Sequence, residues 1–142
     1  MNQVAGRPAH VAFTLIETMH AVEAGLEAAL EQVGLSLAKY GVLSKLAEAG
    51  EPLNLSTLAE RCSCVRSNMT QLIDRLEDEG LVQRVADPQD RRAIRARVTD
   101  LGQRRHADGV QALEHAEQEL LNRLKGPQRS TLLDALRELR ST

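Results

Sequence analysis

The sequence predicts a mainly α-helical chain with one small β-hairpin, and three observations lead there. Its 142 residues are rich in Leu, Ala and Glu, with only Phe13 and Tyr40 as aromatics, a composition that favours helices. Apolar residues recur at spacings of three and four over most of the length. That period gives way to alternation only near residues 81–99, on either side of the turn-forming run Asp87-Pro88-Gln89-Asp90. The length suits one domain, or one domain elaborated with long helices for a partner.

Gly6 and Pro8 mark residues 1–8 as a loose leader. From residue 9 to about 33, Val11, Leu15, Met19, Val22, Leu26 and Leu30 keep helical spacing. This helix is long and apolar on more than one side, which burial against a second chain would explain. Gly34 ends it. Ser36 caps the next helix, Tyr40, Leu43 and Leu46 give that helix an inward stripe, and Gly50 closes it. Glu51-Pro52 turns the chain, and Leu53 and Leu55 alternate briefly, predicting a short strand against the hairpin. Thr57-Leu58-Ala59-Glu60 has capping-box spacing and predicts a short helix from Ser56 or Thr57. A turn at 62–65 leads to a helix over 66–79, which Gly80 stops, and strands over 81–86 and 93–99 follow. On the second strand Ile94, Ala96 and Val98 are to face one way, Arg95 and Arg97 the other. Thr99 caps a helix over 100–124 and Gly126-Pro127 breaks it. A last amphipathic helix carries Leu132, Leu133, Leu136 and Leu139.

The helix over 66–79 is the centre of the functional reading. Met69, Leu72, Ile73 and Leu76 share one face by their i, i+3, i+4, i+7 spacing. The other face begins with Ser67, Thr70 and Gln71, with Asn68 at the flank. A helix pinned on one side and offering short hydrogen-bonding groups on the other suits a DNA major groove. Asp74, Glu77, Asp78 and Glu79 would repel phosphates, so only the first two turns can approach DNA. The candidate reading group is therefore Arg66, Ser67, Asn68, Thr70 and Gln71. Arg91 and Arg92 sit at the hairpin tip, where guanidinium groups suit a narrow minor groove or a phosphate. The plainer alternative is a solvated helix face and a solubilising turn, paired with Asp90 or Asp87. Arg84, Arg95 and Arg97 fit phosphates and the acids of the preceding helix equally well. Two short helices, a turn and a basic hairpin make a winged helix-turn-helix unit.

A net charge of −2 argues at first sight against a polyanionic partner. Its distribution argues otherwise. Residues 1–60 hold 3 basic and 7 acidic side chains, and 107–142 hold 5 and 6, whereas 61–106 hold 10 Arg against 7 acids. The surplus lies on the segment assigned to DNA, and it is small enough to predict weak non-specific binding at physiological salt. So few aromatics exclude an RNA-stacking platform.

Cys62 and Cys64 raise the alternative of a redox switch beside the reading helix, with Arg61 and Arg66 placed to lower a thiol pKa. A bridge between i and i+2 would be strained, and buried Cys commonly serve as small apolar groups. His10, His20, His106 and His115 show no ligand spacing, although His106 and His115 fall on similar helix faces. No catalytic triad, paired-carboxylate or phosphate-loop signature occurs, so no enzyme, metal or cofactor is expected. No apolar run nears eighteen residues and no basic-then-apolar leader is present, so a soluble cytoplasmic protein with no membrane partner is expected.

The stretch QLIDRLEDEGLVQRVADPQDRRAIRARVTDLG resembles the MarR family of bacterial winged-helix transcriptional regulators. The signal lies in D-R-L-E-x-x-G-L-V running into D-P-x-D-R-R and then V-T-x-x-G, with LSLAKYGVL over residues 35–43 similar to that family's second-helix entry. The resemblance implies an obligate homodimer whose body is the first and last two helices. It implies a recognition helix over 66–79 and a wing near 86–93 whose arginine, Arg92 by position, enters the minor groove with Asp90 orienting it. It further implies a repressor of a pseudo-palindromic operator, released by a small phenolic or lipophilic effector bound between the two parts, or by Cys oxidation. Two departures stand out: Val65 where many members carry a capping oxygen, and the Cys62-Ser63-Cys64 sequence before it.

The expected organisation is thus a first helix for dimerisation over 1–34, a winged helix-turn-helix DNA-binding domain over 35–99, and C-terminal dimerisation helices over 100–142. The competing reading is a winged-helix module whose partner is another protein, which the acidic remainder of the chain favours. Effector-contacting residues have no sequence signature here.

Overall fold

The computed structural model describes residues 8–141, so the leader expected over 1–8 lies, except for Pro8, outside the described residues. Helix α1 (Pro8–Glu31) is followed by α2 (Leu37–Ala49), β1 (Leu53–Asn54), α3 (Leu55–Arg61) and α4 (Arg66–Asp78). Strands β2 (Val82–Ala86) and β3 (Ile94–Val98) form the hairpin, and α5 (Asp100–Leu121) and α6 (Gly126–Arg140) end the chain. The sheet is antiparallel in the order β1-β3-β2. Leu53 pairs with Ala96, and Val82, Arg84 and Ala86 pair with Val98, Ala96 and Ile94.

Most of the caps follow the sequence. Ser36 Oγ accepts from the Lys39 N–H, and Gly50 takes the left-handed conformation (φ +67°) that closes a helix without Cβ strain. Thr99 Oγ1 accepts from the Gly102 N–H at 3.0 Å and donates to the Gly80 carbonyl at 2.6 Å. The start of α3 corrects the expectation. Asn54, the last residue of β1, is extended, and its Oδ1 accepts from the Thr57 N–H at 2.8 Å. The helix thus begins at Leu55, and Thr57 is the third residue inside it rather than its cap. At the other end α5 stops at Leu121, three residues early, through tight turns at Arg123 and Leu124. Gly126-Pro127 opens α6 instead of merely ending α5, since proline's missing N–H costs nothing in a first helical turn.

The core lies where α2, α3 and α4 meet the sheet: Val42, Leu43, Leu46, Leu58, Met69, Ile73, Leu76, Leu81, Val82 and Ala96 are all buried. The long helices add little to it. Among the described residues, only Leu30 of α1 is buried, and none of α6 is. Val11, Phe13, Ile16 and Met19 of α1 and Leu132, Leu133, Leu136 and Leu139 of α6 stand in solvent. The winged unit therefore has a closed core of its own, while the two ends carry unburied apolar stripes.

Gly102 fixes the seat of α5. A Cβ there would lie 2.0 Å from the Leu81 carbonyl oxygen and 2.8 Å from Val98 Cγ2, so the helix start rests directly on the base of the hairpin.

Candidate nucleic-acid interface

The turn joining α3 to α4 is held by backbone bonds from Ser63 N–H to Glu60 O and from Cys64 N–H to Ala59 O, with Ser63 left-handed at φ +51°. Val65 precedes α4 in extended conformation and supplies no capping side chain. The first N–H groups of α4 are therefore left to solvent, at the positive end of the helix dipole.

Met69, Ile73 and Leu76 are fully buried and Leu72 is half-buried, which pins one face of α4 as the spacing predicted. Arg66, Ser67, Asn68, Thr70 and Gln71 are all exposed on the rest of its first two turns. The Thr70 hydroxyl donates to the Arg66 carbonyl at 3.1 Å, leaving its lone pairs and methyl group outward.

The hairpin tip is built by two aspartates. Asp87 Oδ1 accepts from the Gln89 N–H at 2.9 Å, and Asp90 Oδ1 accepts from the Arg92 N–H at 3.0 Å. Asp90 therefore holds the backbone of Arg92, which is the expected orienting partner acting through the main chain. Arg91 and Arg92 are exposed, and among the described residues neither guanidinium has a carboxylate within 4 Å. Asp87 is taken by Arg95 at 3.5 Å. Ile94 departs from the predicted alternation. It has the parity of buried Ala96 but is 47% exposed, because the ribbon there extends past the body.

Arg84 resolves toward the acids: it meets Glu77 at 2.8 Å and also Asp74, both on α4. Hydrogen bonds from the Arg84 backbone and side chain hold the Glu77 carboxyl below its usual range. Arg97 is exposed and, among the described residues, takes no carboxylate.

Cys62 behaves differently from the expectation drawn from nearby arginines. Cys62 packs against the core, and burial pushes its thiol pKa up, with Lys45 offsetting in part and Cys64 adding. A raised pKa opposes thiolate reactivity. Both cysteines are free, and Cys64 Sγ lies 3.4 Å from the Val65 carbonyl. His106 and His115 are not brought together. His106 stacks on Tyr40 (centroids 5.3 Å apart) with Nε2 3.0 Å from Ser44 Oγ, and burial lowers its pKa. His115 is exposed beside Glu119. No cluster of three metal-ligating side chains occurs among the described residues, and no helix there is long and apolar enough to cross a membrane.

A hollow of about 420 Å³ opens where α2, β3 and α5 meet. Leu43, Leu46, Pro52 and Val98 give it an apolar wall, and Arg97, Gln103 and His106 a polar one. Sequence reasoning missed it because its walls come from distant segments with no shared spacing. Its lining residues Leu43, Leu46, Arg97, Val98 and His106 were each read for a different reason.

The MarR family model matches residues 35–94, from the approach to α2 through the hairpin tip. A MarR-family regulator from Rhodococcus sp. RHA1 superposes with a TM-score of 0.78 at 26% identity, over 92% of this chain and 92% of its own. Over residues 35–94 the chain matches the MarR family, and its fold is similar to that of a MarR-family regulator. Among curated relatives of this chain, the HTH-type transcriptional repressor MdtR of Bacillus subtilis (strain 168) is 37% identical over 73 residues, 51% of this chain and 46% of that protein. CouR from Rhodococcus jostii RHA1, solved with p-coumaroyl-CoA bound, is 27% identical with a TM-score of 0.74, over 91% of this chain and 90% of its own. The chain spans 44% to 65% of the length of the curated relatives it matches.

Proposed function

We propose that this chain is a homodimeric, sequence-specific DNA-binding transcriptional repressor of the MarR family that a small-molecule effector releases from its operator. The observation that carries the reading is the division of α4. Met69, Ile73 and Leu76 are sealed in the core, while Arg66, Ser67, Asn68, Thr70 and Gln71 are exposed beside a wing tip whose Arg91 and Arg92 have no carboxylate partner among the described residues. Short polar groups on a rigid helix read base edges, and unpaired arginines on a hairpin reach a neighbouring minor groove.

A palindromic operator needs two such helices about 34–36 Å apart, which requires two subunits. The exposed stripes of α1 and α6 supply the apolar surface for that pairing. The hollow between α2, β3 and α5 joins the body to the wing's second strand. A phenolic or lipophilic compound lodged there would favour subunit arrangements whose helix spacing no longer fits the groove, provided it binds them more tightly. The p-coumaroyl-CoA bound by CouR and the name of the repressor MdtR support this reading.

The test is fluorescence anisotropy with a labelled duplex recovered by this protein from a random pool, titrated over a range of salt. Binding should weaken steeply with salt, with two chains per duplex. Absence of binding at low salt would overturn the reading and favour a protein-interaction module.

A further inference from the structure

The acids in the second half of α4 present a puzzle for a helix that approaches DNA, and Arg84 answers it. Asp74 and Glu77 stand three residues apart on the side of α4 that faces β2. The Arg84 guanidinium donates to Glu77 Oε1 at 2.8 Å and to Asp74, and the Arg84 backbone N–H donates to Glu77 Oε2 at 2.9 Å. One arginine thus grips two turns of helix through three bonds, a fork geometry that a flexible ammonium would not hold.

The position of this grip matters. On the helix it lies three and four residues beyond Gln71 and Thr70, one turn past the reading group. On the wing it lies at the Arg84–Ala96 pair, and Ala96 is buried. Beyond that pair the ladder has two more rungs, of which the last, Ala86–Ile94, has both members exposed. On the far edge β1 still pairs Asn54 with Arg95, so only the Ala86–Ile94 rung and the tip stand clear, and on the edge that faces α4 the side-chain tie between wing and helix is made at Arg84.

We propose that Arg84 is a positioning residue for DNA recognition: with Asp74 and Glu77 it locks the wing to the reading helix, so that Arg92 and Thr70–Gln71 address one duplex in fixed register. This rests on the DNA-binding reading above. Arg84 and Glu77 are half-buried and Asp74 is exposed, so screening by solvent keeps the contribution to stability modest and the lock shows mainly in binding geometry.

The experiment is a double-mutant cycle of Arg84→Met and Arg92→Ala on the full chain, using the duplex selected by the unmodified protein at fixed salt. In the unmodified background Arg92→Ala should weaken binding about tenfold, and in the Arg84→Met background less than about threefold. Site selection repeated with Arg84→Met should keep the centre of each half-site and lose preference at the flanks, with a melting temperature near that of the unmodified chain. The variant D74N/E77Q removes the same lock from the helix side and should give the same loss of flank preference, should Arg84→Met fold poorly. A full tenfold cost of Arg92→Ala in every background, with flanks unchanged, would overturn the lock alone. No duplex binding by the unmodified chain would overturn the DNA reading and the lock with it.

Discussion

Gly102 offers the sharpest test of how the long helix is seated. Replacing it with Ala places a Cβ 2.0 Å from the Leu81 carbonyl oxygen and 2.8 Å from Val98 Cγ2. Backbone cannot swing aside as a side chain does, so α5 must lift from the hairpin base. Overpacking of this kind costs up to about 3 kcal/mol. The lift also strains the Thr99 N–H to Leu81 O bond of 3.1 Å, whose net contribution is about 1 kcal/mol. Better helix propensity returns about 1 kcal/mol. The expected loss is therefore about 3 kcal/mol, or a fall of roughly 10 °C in Tm for a chain of this size. Thermal melts followed by circular dichroism at one fixed protein concentration measure it, since association makes Tm concentration-dependent. Gly41→Ala is the control: nothing lies within 4 Å of its Cβ, so helix propensity alone acts and stability should rise by up to about 1 kcal/mol. A Gly102→Ala variant melting within about 2 °C of the parent would refute the close seating of α5 on Leu81.

Arg92→Ala should weaken duplex binding at least about tenfold, or about 1.4 kcal/mol, and an unchanged gel-shift affinity at fixed salt would contradict its groove contact. Gln71→Ala should alter the sequence recovered in binding-site selection, and an identical motif would remove Gln71 from the reading group. Burial holds His106 below the usual histidine range, so the unfolded chain binds the extra proton first as pH falls. Stability should decline as pH falls through the ordinary histidine range, from about pH 7.5 downward, and His106→Gln should flatten that decline in pH-dependent melts. Cys62, with its thiol pushed up by burial, should alkylate with iodoacetamide more slowly than a free cysteine at neutral pH, and a faster rate would revive the redox switch.

Several elements were legible because their causes are local. The stripe of Met69, Leu72, Ile73 and Leu76 fixes which side of α4 turns inward, whatever lies beneath it. Ser36, Gly50 and Thr99 act on backbone groups within four residues, so their roles could be read from spacing. The cap of α3 was misplaced because two overlapping residues offered the same chemistry. Asn54 prevailed since β1 already holds it extended against Arg95.

By itself the sequence determined the order of helices and strands, the inward face of each, and a basic wing beside a helix with small polar groups. Those follow from periodicity and turn chemistry, which act over a few residues. Only the tertiary structure decided that Arg84 turns to Glu77 and Asp74, that Asp87 takes Arg95 and leaves Arg92 without a carboxylate among the described residues, and that Leu43, Val98 and His106 wall one hollow. Each of those outcomes is a choice among partners distant in sequence. Which charge meets which depends on how the hairpin is laid across α4, and no local spacing records that.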